Sequence, residues 1–237
     1  MNTTAVLGAG SWGTALAGLL AAKGVTTRLW ARNPDVAREI TKTGENSGYL
    51  PGIRLSPDLV ADQSLERVMH GAEAVILAVP CQFLGRMLTE SLDLFPDRPA
   101  IVCASKGIEL ETFRPMSRVV AESLAPVRPR YAILSGPSFA REVGMDLPTA
   151  VSLGCDDDLL AGELQDLLST DTFRVYTNTD VTGVELGGAL KNVMASAAGI
   201  SDGIGFGMDA RAALITRGLA EMSRLGVRLG ADQRTFM

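Results

Sequence analysis

The alternation of apolar and polar positions opens with a short apolar run, Ala5 to Leu7, broken at once by glycines at 8, 10 and 13. A stretch of small and apolar residues over 11–23 then reads as a helix, and 26–31 as a second strand after Lys23-Gly24. Residues 34–43 form another helical pattern, with Pro34 in its first turn and Asn33 as its cap. The segment 44–61 is rich in loop residues, with one short strand expected near Ile53–Leu55. A helix over 63–69 leads into 72–79, a continuous apolar run closed by Pro80 that reads as a strand covered on both faces. Helix 82–95, strand 100–104, helix 113–124 and strand 131–135 repeat the alternation. A strand near 149–153, a helix at 158–169 with Asp156–Asp158 at its start, and a strand near 172–176 complete it.

Strands alternating with helices predict an α/β fold, a doubly wound and mostly parallel sheet of the Rossmann type. Ligands of such sheets bind beyond the carboxyl ends of the strands. The loops 8–13, 32–33, 79–82, 104–108 and 135–140 are therefore the candidate crevice. The pattern changes after Thr179. From 181 to 199 the chain is small and apolar, interrupted mainly by Glu185, Lys191, Asn192 and Ser196, so a buried helix is expected. Gly203, Gly205 and Gly207 follow, and Asp209 is placed to cap a helix to about Leu225. Two units are expected: an α/β domain over 1–180, and the start of an all-α second domain over 181–237.

The glycine spacing carries the first chemistry. Gly8, Gly10 and Gly13 stand in G-x-G-x-x-G order between a strand and a helix, the context that the dinucleotide fingerprint requires. Gly8 allows the tight turn, Gly10 lets a pyrophosphate approach bare backbone, and Gly13 lets the helix pack close. The free N–H groups of that helix then face the phosphates. Arg32 lies about twenty residues on, where an acid would select NAD and an arginine accommodates a 2′-phosphate. It reads as an NADP determinant or as an ordinary surface arginine. Lys106, past the strand 100–104, suits a phosphate or carbonyl oxygen, or is a solvated loop lysine. Lys191 sits in an apolar helix, where desolvation would lower its pKa and let it exchange a proton with an alkoxide. Pairing with Glu185 or snorkelling outward is its structural alternative. Gly136-Pro137-Ser138 adds backbone donors and a hydroxyl at the same mouth, and His70, the sole histidine, lies away from it.

Composition narrows the classes. The net charge of −5, without a basic block, argues against nucleic acid as a partner. Cys81, Cys103 and Cys155 lack C-x-x-C spacing, which argues against a zinc site or a disulfide framework. The first strand starts almost at Met1, so no signal peptide is expected. No apolar run reaches the ~20 residues of a membrane span. A cytoplasmic protein is the expectation.

Several blocks of the chain resemble the bacterial type of NAD(P)-dependent glycerol-3-phosphate dehydrogenase. They are Gly8-Ala9-Gly10-Ser11-Trp12-Gly13-Thr14, Asn46-Ser47-Gly48-Tyr49-Leu50-Pro51-Gly52, Ala104-Ser105-Lys106-Gly107-Ile108-Glu109 and Ser135-Gly136-Pro137-Ser138-Phe139-Ala140. The tail, Glu185-Leu186-Gly187-Gly188-Ala189-Leu190-Lys191-Asn192-Val193 through Ala212–Gly218, is the most specific of them. The resemblance implies interconversion of dihydroxyacetone phosphate and sn-glycerol 3-phosphate with NADP or NAD, NADP favoured, in glycerophospholipid synthesis. It implies Lys191 as the proton donor in reduction and acceptor in oxidation. Lys106 would touch both substrate and cofactor. Gly136, Ser138 and Asn192 would join Lys191 at the substrate, and Ser11, Trp12, Arg32 and Ala140 would contact the cofactor. Cys81 and Met208-Asp209 depart from the family pattern. The family continues for roughly another hundred residues beyond such a tail, within an ordinary second-domain size. A fragment is therefore expected, and an apolar surface on it would favour self-association, so a homodimer is open to it. The alternatives are a related lysine-using hydroxy-acid dehydrogenase and an NADP-binding module without turnover.

Overall fold

In the computed structural model, which describes residues 1–236, parallel pairing spreads in both directions from β1 (Thr3–Leu7). On one side lie β2 (Thr26–Trp30) and β3 (Val60–Asp62). On the other lie β4 (Ala74–Leu77), β5 (Ala100–Cys103), β6 (Arg130–Ser135), β7 (Thr149–Gly154) and β8 (Phe173–Asn178). The order of this eight-stranded sheet is β3-β2-β1-β4-β5-β6-β7-β8. Leu7 is in register with both Trp30 and Leu77. The strand order therefore reverses beside β1, and the three strands end level beneath the first glycine turn, the position at which sheets of this kind bind their ligands.

Side-chain alternation explains why both faces are covered. Val6, Ile76, Val102 and Leu134 point to one face, against α1 (Ser11–Ala22), α2 (Pro34–Thr43) and α7 (Asp158–Leu168). Leu7, Val75, Ile101 and Ile133 point to the other, against α3 (Leu65–Met69), α4 (Cys81–Glu90) and α5 (Met116–Ser123). A strand apolar on both faces must be buried on both, and this is what drives the layered packing. Local caps set the helix starts. Asn33 accepts from the Asp35 N–H at 2.9 Å, and Asp157 from the Leu160 N–H at 3.0 Å. The exposed His70 sits at the end of α3, its carbonyl accepting from Arg28 Nη1 at 2.6 Å.

The structure corrects several expectations. No strand forms at Ile53–Leu55; both side chains are buried from a loop whose Leu55 N–H bonds to the Gly44 carbonyl at 2.8 Å, a turn contact in place of a ladder. The third strand is Val60–Asp62. β7 runs antiparallel to β6, with Ser135 opposite Ser152, because the link carries only a short helix, α6 (Ala140–Gly144), that the pattern did not reveal. β8 then pairs parallel to β7. The helix expected from 113 begins at Met116, behind Pro115, because Phe113 adopts a left-handed φ of 55°.

Beyond the sheet, α8 (Val181–Ile204) and α9 (Gly207–Arg228) form a helical pair. The expectation of a helix buried along 181–199 holds only for the first turns. Val184, Glu185, Leu186 and Gly188 are buried against the sheet, whereas Val193, Ile200 and Ile204 are at least 60 % exposed. The remainder of α8 has left the sheet and packs on α9. Asp209 lies inside the first turn of α9 rather than capping it, where its charge still meets the positive end of the helix.

Gly154 shows how tightly α8 is docked. A Cβ at that position would lie 2.7 Å from Ile133 Cγ2 and 3.1 Å from Val184 Cβ. Gly154→Ala is therefore expected to cost about 1–3 kcal/mol by overpacking, read as a lower midpoint in chemical denaturation at an unchanged slope.

Candidate functional site

The crevice is built first by the glycine turn. Gly8 has a φ of 116°, and a Cβ there would stand 2.6 Å from the Ala78 carbonyl oxygen at the end of β4. A Cβ on Gly13 would stand 1.9 Å from the Gly8 carbonyl oxygen, so α1 can pack this close only without one. Gly10 differs: its φ of −75° suits any residue, and nothing lies within 4 Å of its Cβ position. That side is open. Gly10 is also the N-cap of α1, which has no side-chain capping bond and no acid in its first turn. The N-terminal N–H groups thus keep their positive end for an anion from outside.

A second loop braces this turn. Asn46 is fully buried and donates from Nδ2 to the Ala9 carbonyl at 3.0 Å and to Thr14 Oγ1 at 2.8 Å. Ser11 Oγ donates to the Tyr49 carbonyl at 2.5 Å. Asn46 was missed as a functional residue, since an asparagine beside Ser-Gly reads as turn chemistry and its partners are more than thirty residues away. Trp12 turns its ring inward, its centroid 6.5 Å from that of Phe173, so it offers the crevice its backbone N–H rather than its ring. Arg32 is exposed just past β2. Ala140 begins α6, half-buried against the core that also holds α1.

The opposite wall gathers Lys106, Gly136 and Ser138. Lys106 Nζ donates to the Gly136 carbonyl at 3.2 Å, and Ser138 Oγ donates to the same oxygen at 3.4 Å. Gly136 has a φ of 135°, and a Cβ there would lie 3.0 Å from Val151 Cα, so the exit from β6 passes hard against β7. The loop of Lys106 rests on Cys81, whose Sγ would be 2.6 Å from a Cβ on Gly107. From above, α8 presses Gly188 onto this wall: a Cβ on it would collide with Ser135 Oγ and approach Lys106 Cδ to 3.8 Å.

Here the structure reverses the expected roles of two lysines in burial. Lys191 and Asn192 are exposed, because α8 has left the sheet by that point. Lys106 is the desolvated lysine. Burial, and then the nearby Lys191 ammonium, push it down to about 8. Nor does Glu185 pair with Lys191. It is buried and accepts from the Ser117 N–H at 2.8 Å, Ser117 Oγ at 2.6 Å and Tyr131 OH at 3.2 Å. Burial pushes its carboxyl above the usual range.

A doubly wound sheet with an uncapped helix behind a glycine turn at its switch point defines a dinucleotide-binding protein of the Rossmann class. Comparison with known proteins refines this. Residues 3–161 match the family described as NAD-dependent glycerol-3-phosphate dehydrogenase N-terminus, and residues 180–237 match its C-terminus. A glycerol-3-phosphate dehydrogenase [NAD(P)+] of Maridesulfovibrio salexigens is 57% identical over 98% of this chain and 71% of its own length. That of Geobacter sp. (strain M21) is 52% identical over 98% of this chain and 70% of its own length. The crystal structure of glycerol-3-phosphate dehydrogenase from Coxiella burnetii superposes with a TM-score of 0.93 at 41% identity, covering 99% of this chain and 71% of that one. This chain belongs to the NAD-dependent glycerol-3-phosphate dehydrogenase family.

Two outcomes follow from the geometry. Gly13→Ala is expected to lower the thermal midpoint by about 5 °C or more, whereas Gly10→Ala shifts it by no more than about 1 °C. Lys106 makes the second case. A lysine held at about 8 against an ordinary 10.5 costs stability below pH 8, and that cost is relieved as the pH rises from 8 to 10.5. Lys106→Met should therefore melt about 2 °C higher than the parent at neutral pH, the advantage fading in calorimetric scans above pH 8.

Proposed function

We propose that this chain interconverts dihydroxyacetone phosphate and sn-glycerol 3-phosphate, with NADP or NAD as the redox partner, and so supplies the glycerol phosphate of glycerophospholipids. The single observation that carries the reading is that Lys106 Nζ and Ser138 Oγ both donate to the Gly136 carbonyl oxygen, just past the carboxyl end of β6. Fixed positive charge is thereby set next to the dinucleotide crevice. A bound nicotinamide supplies the hydride; the chain's own residues do the rest.

Gly8, Gly10 and Gly13 shape the turn, and the N–H groups of Ser11 and Trp12 receive the pyrophosphate. Arg32 takes the 2′-phosphate of NADP, and Ala140 closes the cofactor side. Gly136, Ser138 and Asn192 orient the substrate beside Lys106, whose ammonium reaches substrate and cofactor alike. In reduction, Lys191 donates its proton to the oxygen as negative charge develops there; in oxidation it takes that proton back. Lys106 stabilises the same developing charge without moving a proton. In this reading residues 1–180 bind the dinucleotide and 181–237 begin the substrate domain. No helix among the described residues is long and apolar enough to cross a membrane, and we assign the protein to the cytoplasm.

NADPH oxidation with dihydroxyacetone phosphate added tests this directly. Lys191→Ala should lose at least about a hundredfold in turnover while NADPH affinity stays within about twofold. A variant that kept full rate would remove Lys191 from the chemistry. Arg32→Ala should weaken NADPH binding about tenfold and leave NADH binding unchanged, a charge-assisted bond to the 2′-phosphate being lost.

A further inference from the structure

Glu185 is a buried carboxylate to which the reaction gives no part. Its partners come from elements far apart in the chain. Ser117 is the second residue of α5, and Tyr131 is in β6. α5 starts behind Pro115 and has no capping side chain of its own. Glu185 serves as that cap from another helix, its carboxylate accepting the Ser117 N–H at the positive end of α5. One side chain thus ties α8 to a helix and a strand of the sheet. Three residues on, Gly188 meets Ser135 and Lys106. Another three bring Lys191, about 9 Å beyond Glu185 along the axis. Burial ends between Gly188 and Lys191, so these two contacts are the last that direct α8 before it projects. A well-packed apolar side chain would hold α8 as firmly as a buried carboxylate does, without the desolvation cost. What the carboxylate adds is a fixed register, through three directed hydrogen bonds.

We propose that Glu185 is a positioning residue for the reaction, setting the register of α8 so that Lys191 stands beside Lys106 at the crevice. This inference rests on the roles given above to the two lysines. It acts through geometry alone, since Glu185 touches neither lysine.

The chain has four lysines, Lys23, Lys42, Lys106 and Lys191, so their ¹⁵Nζ signals can be resolved and titrated individually. In Glu185→Ala, α8 loses its register and Lys106 gains water while losing its ammonium neighbour. Its titration midpoint should then rise by at least about half a pKa unit. Glu185→Gln can still bond both hydroxyls and the Ser117 N–H, and it should titrate as the parent does. Turnover of dihydroxyacetone phosphate should fall about tenfold in Glu185→Ala and stay within about threefold in Glu185→Gln, with NADPH affinity unchanged in both. Should Glu185→Ala fail to fold, the pair Ser117→Ala with Tyr131→Phe removes two of the three bonds, and it should shift Lys106 in the same direction. A folded variant with a lower thermal midpoint but an unmoved Lys106 titration would reduce Glu185 to a structural anchor and overturn the proposal. If the parent chain shows no turnover, the proposed function fails by itself, and the titration still decides the place of Glu185.

Discussion

The first turn of α1 is the constraint on which the rest depends. A helix N-terminus carries unpaired N–H groups and about half a positive charge, and most helices satisfy them with a polar cap. Here the cap position is Gly10, which has no side chain to offer. The two flanking glycines exist to keep that end open and close-packed: one turns the chain beneath the Ala78 carbonyl, the other lets the helix fold back over the turn. The parallel strands hold the turn at the switch point, and Asn46 and Ser11 fix its angle through a second loop. A scaffold of buried apolar strands is thus organised to leave one small set of backbone donors unsatisfied.

The opposite wall solves a related problem with side chains. Positive charge is held near the crevice by burying part of a lysine without a carboxylate partner, which costs stability and concentrates its field. Lys106 is kept there by a single carbonyl and by the close approach of α8 at Gly188. Lys191 adds a second ammonium from a helix that is otherwise leaving the sheet. The wall that carries Lys106 is therefore shaped as much by where α8 is tied down as by the loops of the sheet. The glycerol-3-phosphate dehydrogenase relatives extend beyond the matched region, which spans about 70% of their length.

Features set by local spacing were legible in the sequence. The order of Gly8, Gly10 and Gly13 maps directly onto a turn, an open face and a close packing contact, because the positive φ of Gly8 and the approach of Gly13 to the Gly8 carbonyl are set within the turn itself, even though Gly8 also meets Ala78 across the sheet. The apolar runs of β1, β4 and β5 read correctly for the same reason. What depended on distant partners did not. The reversal of β7 follows from a short α6 link, and five residues carry too weak a periodic signal. The burial of Lys191 was inferred from apolar neighbours on its own helix, but burial is decided by what packs against that helix, and there the sheet has ended. Lys106 sits in a polar-looking loop, yet α8 covers it. Asn46 and Glu185 hold the turn and α8 through partners tens of residues away, and no spacing in the chain announces either.

If the uncapped end of α1 anchors the dinucleotide, the bound complex must show it there. A crystal structure of the chain grown with NADPH tests it most directly. The pyrophosphate should lie within hydrogen-bond distance of the N–H groups of Ser11 and Trp12, over the open side of Gly10, with the 2′-phosphate at Arg32. Dinucleotide bound elsewhere, with those N–H groups facing only water, would contradict it.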